Sequence, residues 1–347
     1  TNISLNYDTD WLMYYMSTGE PGKIFRKNVE QALRTSEPGF SFNFFDKENE
    51  TLRNACCEVT SSNDSDVCNL GSLNLGRIES LGEFKDVVEL ATKFLLCGTL
   101  KAKLPYQKVY EVRELNRRLG LGLMGVHEWL ISRGHPYGMT DELRQWLSVY
   151  RGQSDKTSKE FSDALEISRP VANRSIAPTG SIGILASTST GIEPIYSVAM
   201  KRRYLKGKNW HYQYVIDSAA QELIDRYGTN PDKIESAMDL ASDYERRIKF
   251  QADVQDFVDM AISSTINLPR WGSKENNPDK VDDFANCLAS YAARLRGFTC
   301  FADGSRGGQP LTSVPYSEAK SKLGTEYREH IETHDICDIA GGGSCGT

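Results

Sequence analysis

The stretch Asn54-Ala55-Cys56-Cys57-Glu58, followed ten residues later by Cys68-Asn69-Leu70-Gly71-Ser72-Leu73-Asn74-Leu75, carries the strongest signal in this chain of 347 residues. Side chains alternate along an extended strand, so a strand here would place Asn54, Cys56 and Glu58 on one face. Cys57 would then point to the other face. An amide, a thiol and a carboxyl group aimed at one point suit chemistry on a hydroxylated substrate, with the carboxylate moving a proton. A buried strand with incidental cysteines has the same spacing, and the motif alone does not exclude it.

The composition is that of an ordinary globular protein, with 39% hydrophobic residues, 25% charged residues and a net charge of -6. No block of like charge resembles a nucleic-acid-binding arm, so duplex binding is disfavoured. No apolar run approaches the roughly 18 residues of a membrane span, and the N-terminus lacks a signal-peptide pattern. We therefore predict a cytoplasmic protein with one large or two ordinary domains.

Apolar periodicity predicts an α/β protein in which helices alternate with strands. The predicted helices cover residues 23–33, 81–99, 107–133, 141–165, 212–227, 248–262 and 280–296, and the predicted strands cover 2–6, 40–44, 264–268 and 297–301. The run Leu119-Gly120-Leu121-Gly122-Leu123-Met124-Gly125 superficially resembles a dinucleotide-binding loop. Because it lies inside a helical pattern and does not follow a strand, we interpret its glycines as sites of close helix packing.

A second stretch of interest is Pro178-Thr179-Gly180-Ser181-Ile182, which follows the short apolar segment Ser175-Ile176-Ala177. Hydroxyl groups and glycine between a strand and a helix N-terminus supply donors that converge on an anion, which would make a phosphate cradle. A Ser/Thr-rich turn that caps the helix has the same composition. Both interpretations stay open on this evidence.

Eight cysteines are too few for a disulfide scaffold in a chain of this length. Cys337 and Cys345 lie near the end of a polar segment that begins at Ser317 and becomes glycine-rich, and we expect this segment to be flexible. The pair could act as a redox dithiol or bind metal together with His330 and His334. Because no close CxxC pair is present, we favour the redox role and predict no metal site.

Together these motifs resemble the catalytic subunit of ribonucleotide reductase. Six groups of segments occur in the order of that family and cover nearly the whole chain: 54–58, 68–75, 121–125, 177–181 with 191–194, 264–269 and 303–306. The resemblance implies that residues 1–316 form the C-terminal part of a ten-stranded α/β barrel of the ribonucleotide reductase, thiyl-radical type. Residues 317–347 would form the flexible tail with the redox pair.

The resemblance also implies an activity, the reduction of ribonucleoside di- or triphosphates to 2'-deoxyribonucleotides. Cys56 would be the thiyl radical that removes the ribose 3'-hydrogen, and Glu58 would be the base on the 3'-hydroxyl. Asn54 would orient the substrate, and Cys68 would be one half of the dithiol that supplies two electrons. The remaining implied contacts with substrate are Ala55 and Cys57 beside the radical site and Pro178, Thr179, Gly180, Ser181 and Ile182 on the phosphates.

The implied electron supply runs through the C-terminal cysteines. Cys337 with Cys345 would re-reduce the active-site disulfide by thiol exchange, with a reductant such as thioredoxin or glutaredoxin as the source of electrons. Residue 55 is Ala where the family often has Pro, and the adjacent Cys57 is unusual. Neither departure removes a catalytic group.

The class of reductase depends on how the radical is made. Reductases that import the radical from a second subunit carry two adjacent tyrosines near the final strand, whereas this chain reads Thr299-Cys300-Phe301-Ala302-Asp303. The segments 264–269 and 303–306 resemble the class II enzymes, so we predict adenosylcobalamin as the cofactor. The alternatives are a class I type large subunit with a separate radical subunit and a non-catalytic nucleotide-binding homologue, although a binding module needs none of the sulfur chemistry.

The chain begins at Thr1 and has no counterpart of the first half of the family's barrel, which holds the partner cysteine of Cys68 and the effector loops. We therefore expect a C-terminal fragment, a split-gene product that needs an N-terminal partner, or a segment that follows an intein. The sequence does not choose among them.

Overall fold

The computed structural model describes residues 3–207, 209–305 and 311–328. Its helices are α1 Thr9–Thr18, α2 Gly22–Thr35, α3 Leu81–Lys101, α4 Gln107–Asn116, α5 Val126–Ser132, α6 Asp141–Ala164, α7 Gly180–Leu185, α8 Ser218–Tyr227, α9 Tyr244–Gln255, α10 Val281–Tyr291 and α11 Tyr316–Ser321. Its strands are β1 Ser4–Tyr7, β2 Gly39–Phe42, β3 Leu52–Arg53, β4 Thr60–Ser61, β5 Asn69–Asn74, β6 Leu119–Met124, β7 Ala199–Lys206, β8 Asn209–Ile216, β9 Thr265–Leu268, β10 Gly297–Ala302, β11 Leu311–Ser313 and β12 Glu326–Arg328.

Seven strand segments lie side by side and carry the site described below. β5 is parallel to β6, and single parallel bridges join Leu121 to Arg174 and Ile176 to Ile262. The chain runs on from Ile262 into β9, which is parallel to β10. β10 is antiparallel to β2, and β2 is parallel to β1. The order is therefore five parallel segments followed by two that run the opposite way.

Helices cover these strands and bury two large apolar cores. In α2 the buried residues recur at helical spacing, so one face of an amphipathic helix packs on β10 and, through the ring pair Phe25–Phe40, on β2. That core is rich in aromatic side chains, including Phe25, Phe40, Phe42 and Phe298. The second core lies where α3, α5 and α6 meet β5 and β6. The two cores pack against the strands and so position the segments that connect them.

Residues 119–124 form the buried strand β6, so the prediction that they continue a helix over 107–133 is wrong. The helix ends where Arg117 adopts a left-handed conformation with φ of 44°. The glycines serve strand packing instead of helix packing, because a Cβ on Gly122 would lie 2.6 Å from the backbone oxygen of Ser175. Every residue of β6 is buried, so the strand lacks the polar alternation that marks a half-exposed strand.

A separate antiparallel sheet has the order β11-β7-β8-β12. Residues 209–216 belong to it, so the predicted helix 212–227 is wrong in its first half and α8 begins only at Ser218. Residues 317–328 were expected to lie at the start of a flexible tail, yet α11 packs on β7 and β8 and β12 pairs with β8. His330, His334, Cys337 and Cys345 lie outside the described residues.

The other predicted elements are confirmed close to their expected bounds. They are the helices 23–33, 81–99 and 141–165 and the strands 40–44, 264–268 and 297–301. The strand predicted at 2–6 corresponds to β1 Ser4–Tyr7, and the helix predicted at 280–296 ends at Tyr291, where a 3-10 turn, Ala292–Arg294, follows. The helix predicted at 248–262 begins at Tyr244 and ends at Gln255. Within the described parts of the chain, no helix is long and apolar enough to cross a bilayer. No group of three or more metal-ligating side chains occurs in those same parts.

Candidate active site

The motif at 54–58 lies on a turn between two short strands, so the predicted extended strand is wrong. β3 pairs with β4 in the register Arg53 to Thr60, and the chain must reverse between them. The Cys57 N–H donates to the Asn54 carbonyl oxygen at 2.9 Å, and Cys57 adopts a left-handed conformation with φ of 67°. The simple alternation argument for the orientation of these side chains therefore does not apply.

The turn is anchored by the residue that precedes it. The buried guanidinium of Arg53 donates to Ser41 Oγ, to Asn43 Oδ1 at 2.8 Å and to the Arg296 carbonyl oxygen at 2.8 Å. These acceptors lie on or beside β2 and β10. Burial lowers the pKa of Arg53 to about 10, so the group stays charged at neutral pH. Arg53 thus holds the turn against β2 and β10, the antiparallel pair at which the strand direction reverses.

Cys56, Glu58 and Asn54 remain neighbours on the turn. Glu58 is only 2% exposed, and its Oε2 has no hydrogen-bond partner among the described residues. Burial raises the pKa of Glu58, and its own backbone N–H and the Asn54 side chain partly oppose that rise. Asn54 Oδ1 accepts a bond from the Val59 N–H at 3.0 Å. A buried carboxylate with a free oxygen is suited to accept a proton from a bound hydroxyl group.

The Cys56 thiol is exposed and lines a cavity of about 250 Å³. Burial, Glu58 and Cys57 raise its pKa, in that order, so the thiol is protonated at neutral pH. Cys57 Sγ lies 3.9 Å from Ser4 Oγ at the start of β1. The cavity is also lined by Pro178, Ser263, Thr265, Thr299, Cys300 and Phe301, and no tyrosine is among its described lining residues.

Cys68 directly precedes β5 and lines a different cavity of about 460 Å³, which Asn54 also borders. Burial raises the pKa of Cys68 to about 12. The positive charge of Arg118 opposes this rise, while Asp66 and Glu58 add to it. The turn therefore borders one cavity with Cys56 and a second cavity with Cys68.

The segment 178–182 leads into the six-residue helix α7. Thr179 is left-handed with φ of 51°, and its hydroxyl oxygen accepts the Gly191 N–H at 2.8 Å. The first N–H groups of a helix have no acceptor within it. Pro178 lines the Cys56 cavity, and a Cβ at Gly180 would meet nothing within 4 Å. The structure thus brings one end of this segment to the Cys56 cavity.

Two charged residues near the site had no role in the sequence interpretation. Glu193 Oε1 accepts the Thr265 N–H at 2.5 Å and so ties the loop after α7 to β9. Arg118 forms a buried ion pair with Asp66, and its carbonyl oxygen accepts the N–H of Asn69, the residue after Cys68. Glu193 stood within a quoted motif, but sequence alone does not indicate its partner. Arg118 gave no signal, because it falls inside the segment that we read as helical.

Comparison with known proteins identifies the family. Residues 9–149 and 171–300 match the family model described as ribonucleotide reductase, barrel domain. The chain therefore belongs to the ribonucleotide reductase family, and the predicted family and α/β barrel fold are confirmed.

Several curated proteins are similar to this chain over most of its length. A vitamin B12-dependent ribonucleoside-diphosphate reductase of Mycobacterium tuberculosis (strain CDC 1551 / Oshkosh) is 28% identical and matches 89% of this chain and 48% of its own length. A putative adenosylcobalamin-dependent ribonucleoside-triphosphate reductase of Mycobacterium phage D29 is 27% identical, with 98% of this chain and 56% of the relative covered. The chain spans about half the length of the curated relatives it matches.

Solved structures share the fold. A B12-dependent class II ribonucleotide reductase superimposes with a TM-score of 0.72 at 15% identity, covering 92% of this chain and 49% of the other. The alpha subunit of a class Id ribonucleotide reductase from Actinobacillus ureae gives a TM-score of 0.65 at 19% identity, covering 87% and 65%. At these identities the likeness concerns the fold alone.

Proposed function

We propose that this chain carries the radical-cysteine half of a ribonucleotide reductase that converts ribonucleoside di- or triphosphates to 2'-deoxyribonucleotides. The observation that carries the proposal is the turn itself. It presents the exposed Cys56 thiol at a cavity and keeps Glu58, a buried carboxylate with a free oxygen, two residues away. Family membership supplies the reaction class, and the turn supplies groups that suit it.

Each residue has a defined part in this proposal. Cys56, as a thiyl radical, takes the hydrogen atom from ribose C3', and Glu58 takes the proton of the 3'-hydroxyl. Asn54 orients the substrate. The 2'-hydroxyl then leaves as water, and two electrons come from a dithiol of which Cys68 is one half. Cys56 returns the hydrogen atom to C3' at the end. The raised pKa of Cys56 supports this role, because a protonated thiol can give and regain a hydrogen atom.

Substrate contacts follow from the two segments that meet at the cavity. Residues 178–182 hold the phosphates through N–H groups at the start of α7 and through hydroxyl groups. Ala55 and Cys57 border the ribose side of the site. The partner cysteine of Cys68 comes from an N-terminal half, in the same chain or a separate one. Cys337 and Cys345 return electrons from a thioredoxin-like dithiol protein.

Adenosylcobalamin is the proposed radical source. The Cys56 cavity fits this choice, because the thiol is exposed and the described residues around it include no tyrosine to relay a radical through the protein. When bound, adenosylcobalamin would supply the radical chemistry that converts the Cys56 thiol to a thiyl radical. Thr299 and Phe301, the partly exposed residues of β10 at this cavity, would face it.

The decisive experiment is turnover by the complete reductase that contains this chain, with any N-terminal half supplied in cis or in trans. Adenosylcobalamin and a dithiol should support deoxynucleotide formation, and Cys56→Ser should abolish it, a loss of at least about 10³-fold because the radical step has no substitute group. The exposed Cys97 on α3 gives a matched control, and Cys97→Ser should keep full activity.

Unchanged turnover by Cys56→Ser would contradict the proposal. Turnover with an iron or manganese radical subunit, and none with cobalamin, would keep the reductase assignment and replace the cofactor.

A further inference from the structure

Arg118 and Cys68 are neighbours at the amino ends of two parallel strands. Asn69 pairs with Leu119, and the Asn69 N–H donates to the Arg118 carbonyl oxygen at 3.4 Å. A Cβ at Gly120 would lie 3.0 Å from Cys68 Sγ, so the thiol lies on the Gly120 face of β6. Residues two apart on a strand share a face, so the thiol lies on the same side as Arg118.

Arg118 is buried and firmly held. Its side chain is 3% exposed, and its Nε donates to Asp66 Oδ2 at 2.9 Å. Asp66 Oδ2 also accepts the Ser61 hydroxyl at 2.7 Å and Asn116 Nδ2 at 2.8 Å. Among the described residues, the guanidinium makes no other hydrogen bond. A buried ion pair is expensive to desolvate, so stability alone is weak grounds for placing one beside a thiol.

The second cavity gives Cys68 an approach that does not pass through the Cys56 cavity. It is lined by residues 52–54 on one side and by residues 63–68 on the other. Asp66 and Cys68 both lie on this lining, so the Asp66 end of the ion pair is next to the thiol at this cavity.

We propose that Arg118, fixed by Asp66, is a positioning residue that stabilises the Cys68 thiolate when a dithiol entering through the second cavity reduces the disulfide of Cys68. The inference rests on the proposed function, which supplies that disulfide.

The electron balance of the step is simple. One thiolate of the dithiol attacks the sulfur of the partner cysteine, the S–S bond breaks, and Cys68 leaves with the electron pair. The second thiolate of the dithiol then resolves the mixed disulfide. The dithiol becomes a disulfide, and its two protons end on Cys68 and the partner cysteine. Leaving-group thiolates with lower pKa values depart faster, so a fixed positive charge beside Cys68 accelerates the first bond cleavage.

The electrostatics agree with this geometry. Burial raises the pKa of the Cys68 thiol to about 12, and Arg118 is the group that opposes the rise. Asp66 and Glu58 are the negative groups that add to it. Without Arg118, Cys68 would have to leave as a thiolate with the negative groups of Asp66 and Glu58 acting against it.

Alkylation of Cys68 in the reduced protein tests the proposal without any turnover. Iodoacetamide reacts with the thiolate, so the rate between pH 8 and 10, resolved by peptide mass spectrometry, reports how readily Cys68 ionises. Arg118→Gln should slow alkylation about tenfold, the effect of one pKa unit. Arg117→Gln is the matched control, because Arg117 is buried next to it but pairs with Glu114, and it should leave the rate within about twofold.

An unchanged rate in folded Arg118→Gln would overturn the proposal. If that variant does not fold, the double variant Asp66→Asn/Arg118→Gln removes both charges and leaves no unpaired one. It should slow alkylation about threefold, since the attraction of Arg118 exceeds the repulsion by Asp66. An equal or faster rate in the folded double variant would likewise overturn the proposal.

In the complete reductase, Arg118→Gln should lower multiple turnover with a dithiol and leave the yield of one turnover by prereduced enzyme intact. An equal loss in both would indicate a structural role and overturn the proposal. Because alkylation requires no catalysis, a slowed Cys68 together with fully active Cys56→Ser would refute the proposed function but not the influence of Arg118 on the thiol.

Discussion

The two thiols assigned to one reaction lie in opposite surroundings. Cys56 is exposed on a turn between two short strands, whereas Cys68 enters a parallel strand pair beside a buried ion pair. Neither thiol ionises readily, but the positive charge of Arg118 acts on Cys68 and none is evident as a cause of the Cys56 shift. The difference matches their proposed chemistry: a hydrogen-atom carrier needs an intact S–H bond, while a thiol in disulfide exchange must pass through a thiolate.

The largest expected effect is the loss of activity when Glu58, the neighbour of Cys56, is replaced. Glu58→Gln keeps the shape of the side chain but removes the proton acceptor, so the complete reductase should lose about 10²- to 10⁴-fold in kcat. Steady-state kinetics with saturating substrate measure this loss. A variant with wild-type kcat would remove Glu58 from the reaction and leave Cys56 without its base.

The raised pKa of Glu58 also predicts how kcat and stability change with pH. Burial raises the pKa of Glu58, so the acid limb of the kcat profile should lie above the usual range of a glutamate and vanish in Glu58→Gln. A carboxyl group with a raised pKa in the folded state favours folding at low pH and disfavours it as pH rises through that pKa. The free energy of unfolding of Glu58→Gln should therefore exceed that of the wild type at neutral pH.

Alkylation should separate the two thiols directly. At pH 8 in the reduced chain, Cys56 should react with iodoacetamide at least about tenfold faster than Cys68, because only Cys56 is exposed and thiol reactivity needs access as well as ionisation. Cys300 serves as an internal reference, since it is buried and burial raises its pKa to about 12. A rate for Cys56 as low as that of buried Cys300 would mean that the Cys56 cavity is closed in solution.

Sequence reasoning recovered the family and most of the elements because they rest on local signals. The alternation Phe40, Phe42, Phe44 and the spacing of Ile24, Val29 and Leu33 are visible in one short window. The order of the motifs along the chain added the family, which no single window of sequence indicates. Ile24 is 75% exposed, so the apolar spacing predicts the helix without identifying every buried position.

The errors share a physical cause. The direction of the Cys56 side chain depends on the β3–β4 register, which is set by the anchoring of Arg53 to residues of β2 and beside β10. The strand β6 is buried throughout, so its sequence does not alternate between polar and apolar residues. Its glycines also replace the β-branched and aromatic residues that are typical of strands. Long-range packing decided both cases, and a single sequence does not display it.

The smallest predicted effect is a change in the free energy of unfolding. It tests whether the close contact between β5 and β6 at Gly120 positions Cys68. In Gly120→Ala the new Cβ would lie 2.4 Å from Leu70 Cδ2 and 3.0 Å from Cys68 Sγ. Both atoms are side-chain tips and can shift, so the free energy of unfolding should fall by only about 1 kcal/mol, the low end for overpacking. Gly152→Ala on α6 is the matched control, because a Cβ there meets nothing within 4 Å.

The control should gain about 0.5–1 kcal/mol from the lower backbone entropy of the unfolded chain, so urea unfolding should move the two variants in opposite directions. If Gly120→Ala were stabilised as much as Gly152→Ala, the thiol would have room to move and its register beside Arg118 would not be fixed. If it loses stability as predicted and the alkylation rate of Cys68 changes while that of Cys56 does not, the rigid surroundings of one thiol and the open surroundings of the other are independent properties of the fold.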